Sequence, residues 1–344
     1  MMNTQFVECV PNFSEGRNIE TINAIADAIR SVNGVRVLHI DRGEAANRTV
    51  ITFVGEAHRV VEAAFRMVKR AAELIDMRHH HGEHPRIGAT DVLPIIPLKG
   101  ISLSECAELA RALAERIYKE LAIPTYCYEV AAFCPEHANL ADCRRGEYEG
   151  LREKMGDPVM RPDYGGVEYT EQAARSGATV VGARNFLIAV NFNLNTVSRE
   201  MASAIAARVR ASGEVLRDAE GRVVRRPGLL RGCKAIGWYI EEYGCAQVSM
   251  NINDITLCPI HKAYETVCMV AHELGCEVTG TELIGLIPEQ CMLDAGRYFA
   301  EKESVICDCA QDLIRMAVNA MHMDCLTSFD SKVKILSVDV SLFV

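Results

Sequence analysis

Three features of the sequence predict an α+β protein built from two similar halves. Strand-like and helix-like apolar patterns alternate in the order βαββαβ up to about residue 97, with one more helix and strand to about residue 130, and the same βαββαβ order returns after residue 180. Between them, over residues 130–180, the apolar periodicity fades into glycine, proline and charge. At 344 residues, 49% apolar and 24% charged, the chain has the length for two medium-sized domains or one large one and the composition of an ordinary globular protein.

The first half begins with a strand, Phe6 to Val10, and a polar turn, Pro11 to Arg17. Ile19, Ile22, Ile25, Ala26 and Ile29 recur at helical spacing, and Asn33-Gly34 stops that helix. Val35 to Ile40 is a strand that delivers Asp41 at its end, and Arg48 to Val54 is the next. Val60, Val61, Ala64, Phe65, Val68 and Ala72 mark a second helix, and Val92 to Pro97 a buried strand. Ser102 with Glu105 has capping-box spacing and starts a helix running to about Leu121, followed by a strand at Thr125–Tyr128. In the connecting stretch, Ala138–Lys154 is predicted as short helix and Arg161–Gly177 as loop. The second half repeats the order. Its elements are strand Phe186–Leu194, helix Met201–Val209, paired strands Gly232–Ile240 and Ala246–Ile252, helix Tyr264–Leu274 and strand Glu277–Thr281. Two further helices follow Pro288, and Leu336–Val344 is an apolar tail. The predicted domains are 1–180 and 181–330, with 331–344 as tail. Each half follows the split βαβ arrangement of the ferredoxin-like kind, and two such units predict a ligand cleft between them.

A net charge of −9 argues against a general nucleic-acid binder, which needs a basic surface. The fourteen cysteines lie scattered in apolar runs without a CxxC and read as reduced thiols of a cytoplasmic protein. The start, MMNTQFVECV, lacks the basic and apolar regions of a secretory signal, and no apolar run is long enough to span a membrane.

Asp76 to Pro97, DMRHHHGEHPRIGATDVLPIIP, is the stretch with most chemistry in it. His79, His80, His81 and His84 fall within six positions, beside Arg78, Glu83 and Arg86. Gly82, Pro85 and Gly88 interrupt any helix, and Pro85 biases His84 towards extended backbone. Clustered histidines suggest a metal, but HExxH is absent and no cysteine pair has finger spacing. Neighbours in an extended segment point to opposite faces, so His79, His80 and His81 cannot all meet at one ion. No metal is therefore expected here. What remains is either a proton-transfer histidine, His84, flanked by cations for an anionic substrate, or a solvated surface loop.

Longer motifs separate these readings. ECVPNFSEGR (Glu8–Arg17), NRTVITFVG (Asn47–Gly55), LIDM followed by GEHPRIGATDVLPIIP, GATVVGARNFLIAVNFNL (Gly177–Leu194), GWYIEE (Gly237–Glu242) and AQVSMNI (Ala246–Ile252) occur in order across both halves. In these motifs the chain resembles the glutamate formiminotransferases of histidine breakdown, over essentially residues 5–325. The resemblance implies two ferredoxin-like subdomains, a homodimer, and folate in a groove between the subdomains. It implies transfer of a formimino group between N-formimino-L-glutamate and N5 of tetrahydrofolate, the co-substrate, polyglutamylated in the cell. It places the catalytic histidine at His84, sets Asp41 near it, and maps the folate segment onto Gly165 to Gly177: Gly165, Gly166, Val167, Glu168, Tyr169, Thr170 and onward. That segment looks a few residues longer than in the animal members, so its contacts do not transfer one by one. The cyclodeaminase domain of the bifunctional form is not expected here, so a separate enzyme would have to take the product.

The residue types suit such chemistry. One imidazole can take a proton from the attacking nitrogen and return it to the leaving one, because its ordinary pKa lies near working pH. Asp41 would orient His84 and stabilise its cation; without the resemblance it reads first as a strand-end turn residue. Both substrates end in carboxylates, and Arg48, Arg86 and Arg184 beside the matched motifs are suited to bind them, although any one reads also as a solvated charge. Asn12, Asn191 and Asn251 stand in or beside apolar strands, where an unpaired amide is costly; they either contact ligand or pair within the fold. Trp238 reads as core. A zinc amidohydrolase and a folate binder without catalysis are the alternatives, the first losing activity to chelator, the second binding without turnover.

Overall fold

A computed structural model describes residues 4–217, 220–326 and 328–336. The chain passes from one compact unit to a second between Asn185 and Phe186. No helix among the described residues is long and apolar enough to cross a membrane.

The first unit contains β1 (Phe6–Cys9), β2 (Asn12–Phe13), α1 (Ile19–Arg30), β3 (Val35–Gly43), β4 (Arg48–Glu56), α2 (Ala57–Leu74), β5 (Thr90–Lys99), α3 (Leu103–Leu121), β6 (Thr125–Glu129), α4 (Leu140–Cys143), α5 (Leu151–Met155), α6 (Glu171–Ser176) and β7 (Thr179–Ala183). All seven strands join one sheet. β1 and β2 act as one interrupted strand between β4 and β5, and β3 borders β4, all antiparallel. β7 lies between β5 and β6, parallel to both.

Strand alternation gives the sheet two different faces. Ile51, Phe53, Leu93, Ile95, Cys127 and Val181 turn to one side and are buried with the apolar stripes of α1, α2 and α3. Each fully buried large side chain there contributes about 1.5–3 kcal/mol. The helices carry the caps their sequences call for: Asn18 accepts from the Thr21 N–H, and Ser102 with Glu105 forms a reciprocal capping box. Val92, Tyr126, Tyr128 and Val180 turn to the other face, where Cys143, Leu151, Met155 and Ala173 of the connecting stretch cover them.

That stretch is more ordered than its composition suggests. Arg161–Gly177 is not all loop, because Thr170 caps the helix α6. Ala138–Lys154 is not one helix but α4 and α5, separated by a turn with positive φ at Gly146 and Glu147. Thr179–Ala183, given no element from the sequence, is in the fold a fully buried inner strand of the first unit.

The second unit contains β8 (Ile188–Leu194), α7 (Arg199–Val209), β9 (Glu214–Arg217), β10 (Val223–Arg226), β11 (Cys233–Ile240), β12 (Cys245–Ile252), α8 (Ile260–Glu273), β13 (Val278–Ile284), β14 (Ile287–Pro288), α9 (Glu289–Glu303), α10 (Ala310–Ala320), α11 (Ser331–Lys334) and β15 (Ile335–Leu336). Its main sheet runs β11-β12-β8-β13, antiparallel throughout. Val190, Phe192, Val248 and Met250 face the helices and share a core with Ile205, Val267 and Phe299. The hairpin β9–β10 was not predicted, because its strands are short and largely exposed. Most of the apolar tail, residues 337–344, lies outside the described residues.

Candidate active site

The loop after α2 separates its histidines. Asp76 caps a 3₁₀ turn over Met77–His79, which leaves His79 exposed. His80 is buried with Nε2 2.9 Å from the Asn47 carbonyl, and His81 is exposed while its own carbonyl accepts from the Asn47 amide at 2.9 Å. His84 turns to Arg48. Its Nδ1 lies 2.7 Å from the Pro85 carbonyl, its Nε2 lies 2.7 Å from Arg48 Nη1, and Nη1 also touches Nδ1. A guanidinium offers only donors, so its approach to both ring nitrogens requires the neutral imidazole.

Arg48 is held in turn. Its Nε donates to Asn12 Oδ1 at 3.0 Å, and Nη1 lies 3.8 Å from Asp91 Oδ2. The Asp91 carboxylate is fully buried; it accepts from Arg144 at 2.5 and 3.1 Å and from the Ile87 N–H at 3.1 Å. Two guanidinium groups thus share one carboxylate, which leaves excess positive charge beside the imidazole. Burial first, and then the cations of Arg48 and Arg144, hold His84 well below the usual histidine range. The ring is consequently a neutral base at neutral pH, and its surroundings favour an incoming anion.

The other expected residues take varied places. Asp41 is half-buried on β3; its pairing with Val50 puts it on the same sheet face as Arg48. Arg86 is already engaged: its side chain is 8% exposed, doubly bonded to Glu149 at 2.6 and 2.7 Å and 3.2 Å from Glu147. It ties the loop to the turn between α4 and α5. Arg184 donates to the Asn185 carbonyl and sets its charge against Glu8. Gly165 is half-buried, Gly166, Val167 and Glu168 are exposed, Tyr169 packs on the core under Arg152, and Thr170 caps α6. Gly177 closes the segment with φ +67°, and a Cβ there would lie 2.2 Å from the Ile87 carbonyl. Bridge pairing of Gly177 with Gly88 and the bonds Ala178 N–H to Ile87 O and Ala89 N–H to Ser176 O pin this end to the residues just after His84. Asn191 donates to Glu282, and the Trp238 indole to Gln247.

Sequence reading misses Asp91, Arg144 and Glu8. Asp91 left a signal, a charge within an apolar strand that must find a partner; nothing local points to Arg144. Glu8 is 1% exposed, one of its oxygens has no hydrogen-bond partner, and burial, opposed by Arg184, raises its pKa to about 7.

A neutral imidazole pressed by guanidinium charge is a candidate for acid–base work on an anion. The relatives give that class a name. Residues 6–184 match the family model described as the formiminotransferase domain, N-terminal subdomain, and residues 189–341 match the formiminotransferase domain. Glutamate formimidoyltransferase of Streptococcus pyogenes serotype M1 is 42% identical over 299 residues, 87% of this chain and 94% of that protein. The glutamate formimidoyltransferase of Thermoplasma acidophilum is 40% identical, over 86% of this chain and 92% of that protein. Formimidoyltransferase-cyclodeaminase of Rattus norvegicus is 43% identical over 97% of this chain, which spans 59% of that longer protein. The chain belongs to the formiminotransferase family.

Proposed function

We propose that this protein transfers the formimino group between N-formimino-L-glutamate and tetrahydrofolate, giving 5-formiminotetrahydrofolate and L-glutamate, with His84 as proton carrier. The observation that carries this reading is the neutral His84 ring held on Arg48, with Arg144 and Asp91 behind it. N5 of the folate attacks the amidine carbon and forms a tetrahedral centre bonded to both nitrogens. His84 takes the proton that N5 sheds and returns it to the glutamate nitrogen, whose bond to carbon then breaks. The protonated amidine carbon is already electron-poor, so no metal electrophile enters these steps. A substrate carboxylate paired with Arg48 would offset the charge that depresses His84 and make the ring a better base once substrate is bound. Asp41, on the same face, is the second carboxylate in reach of that charge.

Of the three expected arginines, Arg48 best supports anion binding, since Arg86 already has two glutamates. Residues 165–177 form the folate segment in this reading, supported by their anchorage to Ile87 and Gly88. We further propose that both units are ferredoxin-like; the strand orders β3-β4-β1-β5 and β11-β12-β8-β13 support this. The protein acts in the cytoplasm as a homodimer, away from nucleic acid and membrane; fourteen free cysteines and the acidic net charge support the compartment and the lack of a nucleic-acid partner. The test is glutamate release from N-formimino-L-glutamate by the purified chain. Release that requires tetrahydrofolate supports transfer, whereas release without folate, or none with it, overturns the proposal.

A further inference from the structure

Away from His84, the connecting stretch of the first unit brings a thiol, an imidazole and a carboxylate together. Cys134 and His137 stand at i and i+3 of one 3₁₀ turn, closed by the His137 N–H on the Cys134 carbonyl, and side chains at that spacing eclipse one another. Asp163 comes from later in the chain. Its oxygens lie 3.0 and 3.1 Å from His137 Nδ1, and the donor atoms of all three residues fall within 4.8 Å of one another.

The group is built rather than incidental. His137 is 2% exposed and the Asp163 side chain 8%. Asp163 Oδ2 also accepts the Cys127 N–H at 2.7 Å, and paired backbone bonds between Thr125 and Tyr164 fix the chain beside it. His137 Nε2 is buried without a hydrogen-bond partner. One more thiol stands close: Cys143 donates to the His137 carbonyl at 3.2 Å. A thiol, an imidazole and a carboxylate together suit a borderline-soft cation, not magnesium or calcium, which require oxygen ligands.

We propose that Cys134 Sγ, His137 Nδ1 and Asp163 Oδ1 bind a zinc ion, with a solvent molecule as fourth ligand. The Asp163 Oδ2–Cys127 bond orients the carboxylate, the usual task of a neighbouring backbone donor. A free thiol, with an ordinary pKa of about 8.5, carries its proton at neutral pH. Binding forms the zinc–sulfur bond and releases that proton to solvent, while the ring proton of His137 resides on Nε2. The ion joins the 3₁₀ turn to β6 and to the chain entering Gly165, and so braces the base of the folate segment.

The experiment uses the full chain, grown with zinc and passed over a weak chelator, with metal counted by elemental analysis and cobalt(II) as the optical probe. Wild type should retain stoichiometric zinc. Its cobalt form should show a thiolate-to-metal charge-transfer band, and thermal stability should fall once a strong chelator removes the ion. Cys134→Ser, nearly isosteric, should lose both metal and band with an unchanged far-ultraviolet spectrum, whereas Cys143→Ser should keep both. Wild type without retained metal and without the band overturns the site and leaves a plain buried His137–Asp163 pair. Equal metal in Cys134→Ser also overturns it, by placing the binding elsewhere.

Discussion

The two units share a strand order but dress the sheet face turned away from their helices with different chemistry. In the first that face carries ionisable groups, Glu8, Asp41 and Arg48, with Asn12 among them. In the second it carries amides gathered around one carboxylate, Glu282. Gln247 donates to Asn193 at 2.6 Å and to Glu282 at 3.2 Å, Asn191 and Tyr243 donate to Glu282 at 2.9 Å, and Trp238 donates to Gln247 at 3.0 Å. A closed network of this kind specifies and rigidifies a sheet. The first unit is different because a chain excursion lies against it, bringing Arg144 to Asp91 and pinning Gly177 to Gly88. Similar strand orders thus hold a histidine pressed by guanidinium charge in one unit and a carboxylate closed in by amides in the other.

Substitutions can break that contrast, and the largest effect should come from the imidazole. His84→Ala should lower kcat by roughly 10²–10⁴-fold, the usual worth of placed acid–base catalysis, with folate affinity little changed. Asp41→Asn should slow turnover less, and the double variant should be scarcely slower than His84→Ala if Asp41 acts through the ring. Steady-state kinetics on the four proteins checks this; a wild-type kcat for His84→Ala would end the mechanism, and additive losses would free Asp41 from it. His79→Ala and His81→Ala, both at exposed positions, should stay near wild type.

A pair of glycines compares the units directly. Gly177 and Gly244 both have positive φ, +67° and +60°, but a Cβ at Gly177 meets the Ile87 carbonyl while one at Gly244 meets nothing within 4 Å. Gly244→Ala should cost about 1 kcal/mol, the left-handed penalty alone. Gly177→Ala should cost about 3 kcal/mol or more, since backbone must also shift. Denaturant melts of both measure the difference, and equal costs would deny that Gly177 is a tight joint.

Glu8 tests the buried charge. Its pKa, raised to about 7 from 4.5, means the folded state holds the proton after the unfolded state has lost it. Its stability contribution is therefore full below about 4.5 and is lost as pH rises through about 7, by about 3 kcal/mol in all. Glu8→Gln should flatten the stability profile across that window and be the more stable protein at pH 8. Parallel wild-type and variant profiles would show that Glu8 ionises normally.

The smallest effect expected is a displaced pH limb. Because His84 lies well below 6.5 in the free protein, the acid limb of kcat/KM should fall below pH 6.5. Arg48→Gln removes the second cause of that depression, so the limb should move up towards 6.5 while KM rises. An unmoved limb would detach Arg48 from the titration of His84.

Much of this protein follows from its sequence alone, because helices, strands and caps are written in short-range periodicities that need no distant partner. The βαββαβ order and the Ser102 capping box are of this kind, and so is the match of long motifs to one family. Tertiary structure decided whatever depends on neighbours remote in the chain. It placed Thr179–Ala183 between β5 and β6 and gave Arg86 to Glu147 and Glu149. It set Arg144 on a carboxylate that sequence could flag only as a charge in need of a partner. It also carried Cys134 and His137, an ordinary CxxH turn, to Asp163. Above all it set the protonation state of His84, because a pKa is fixed by burial and by charges a few ångströms away, and those distances exist only once the chain has folded.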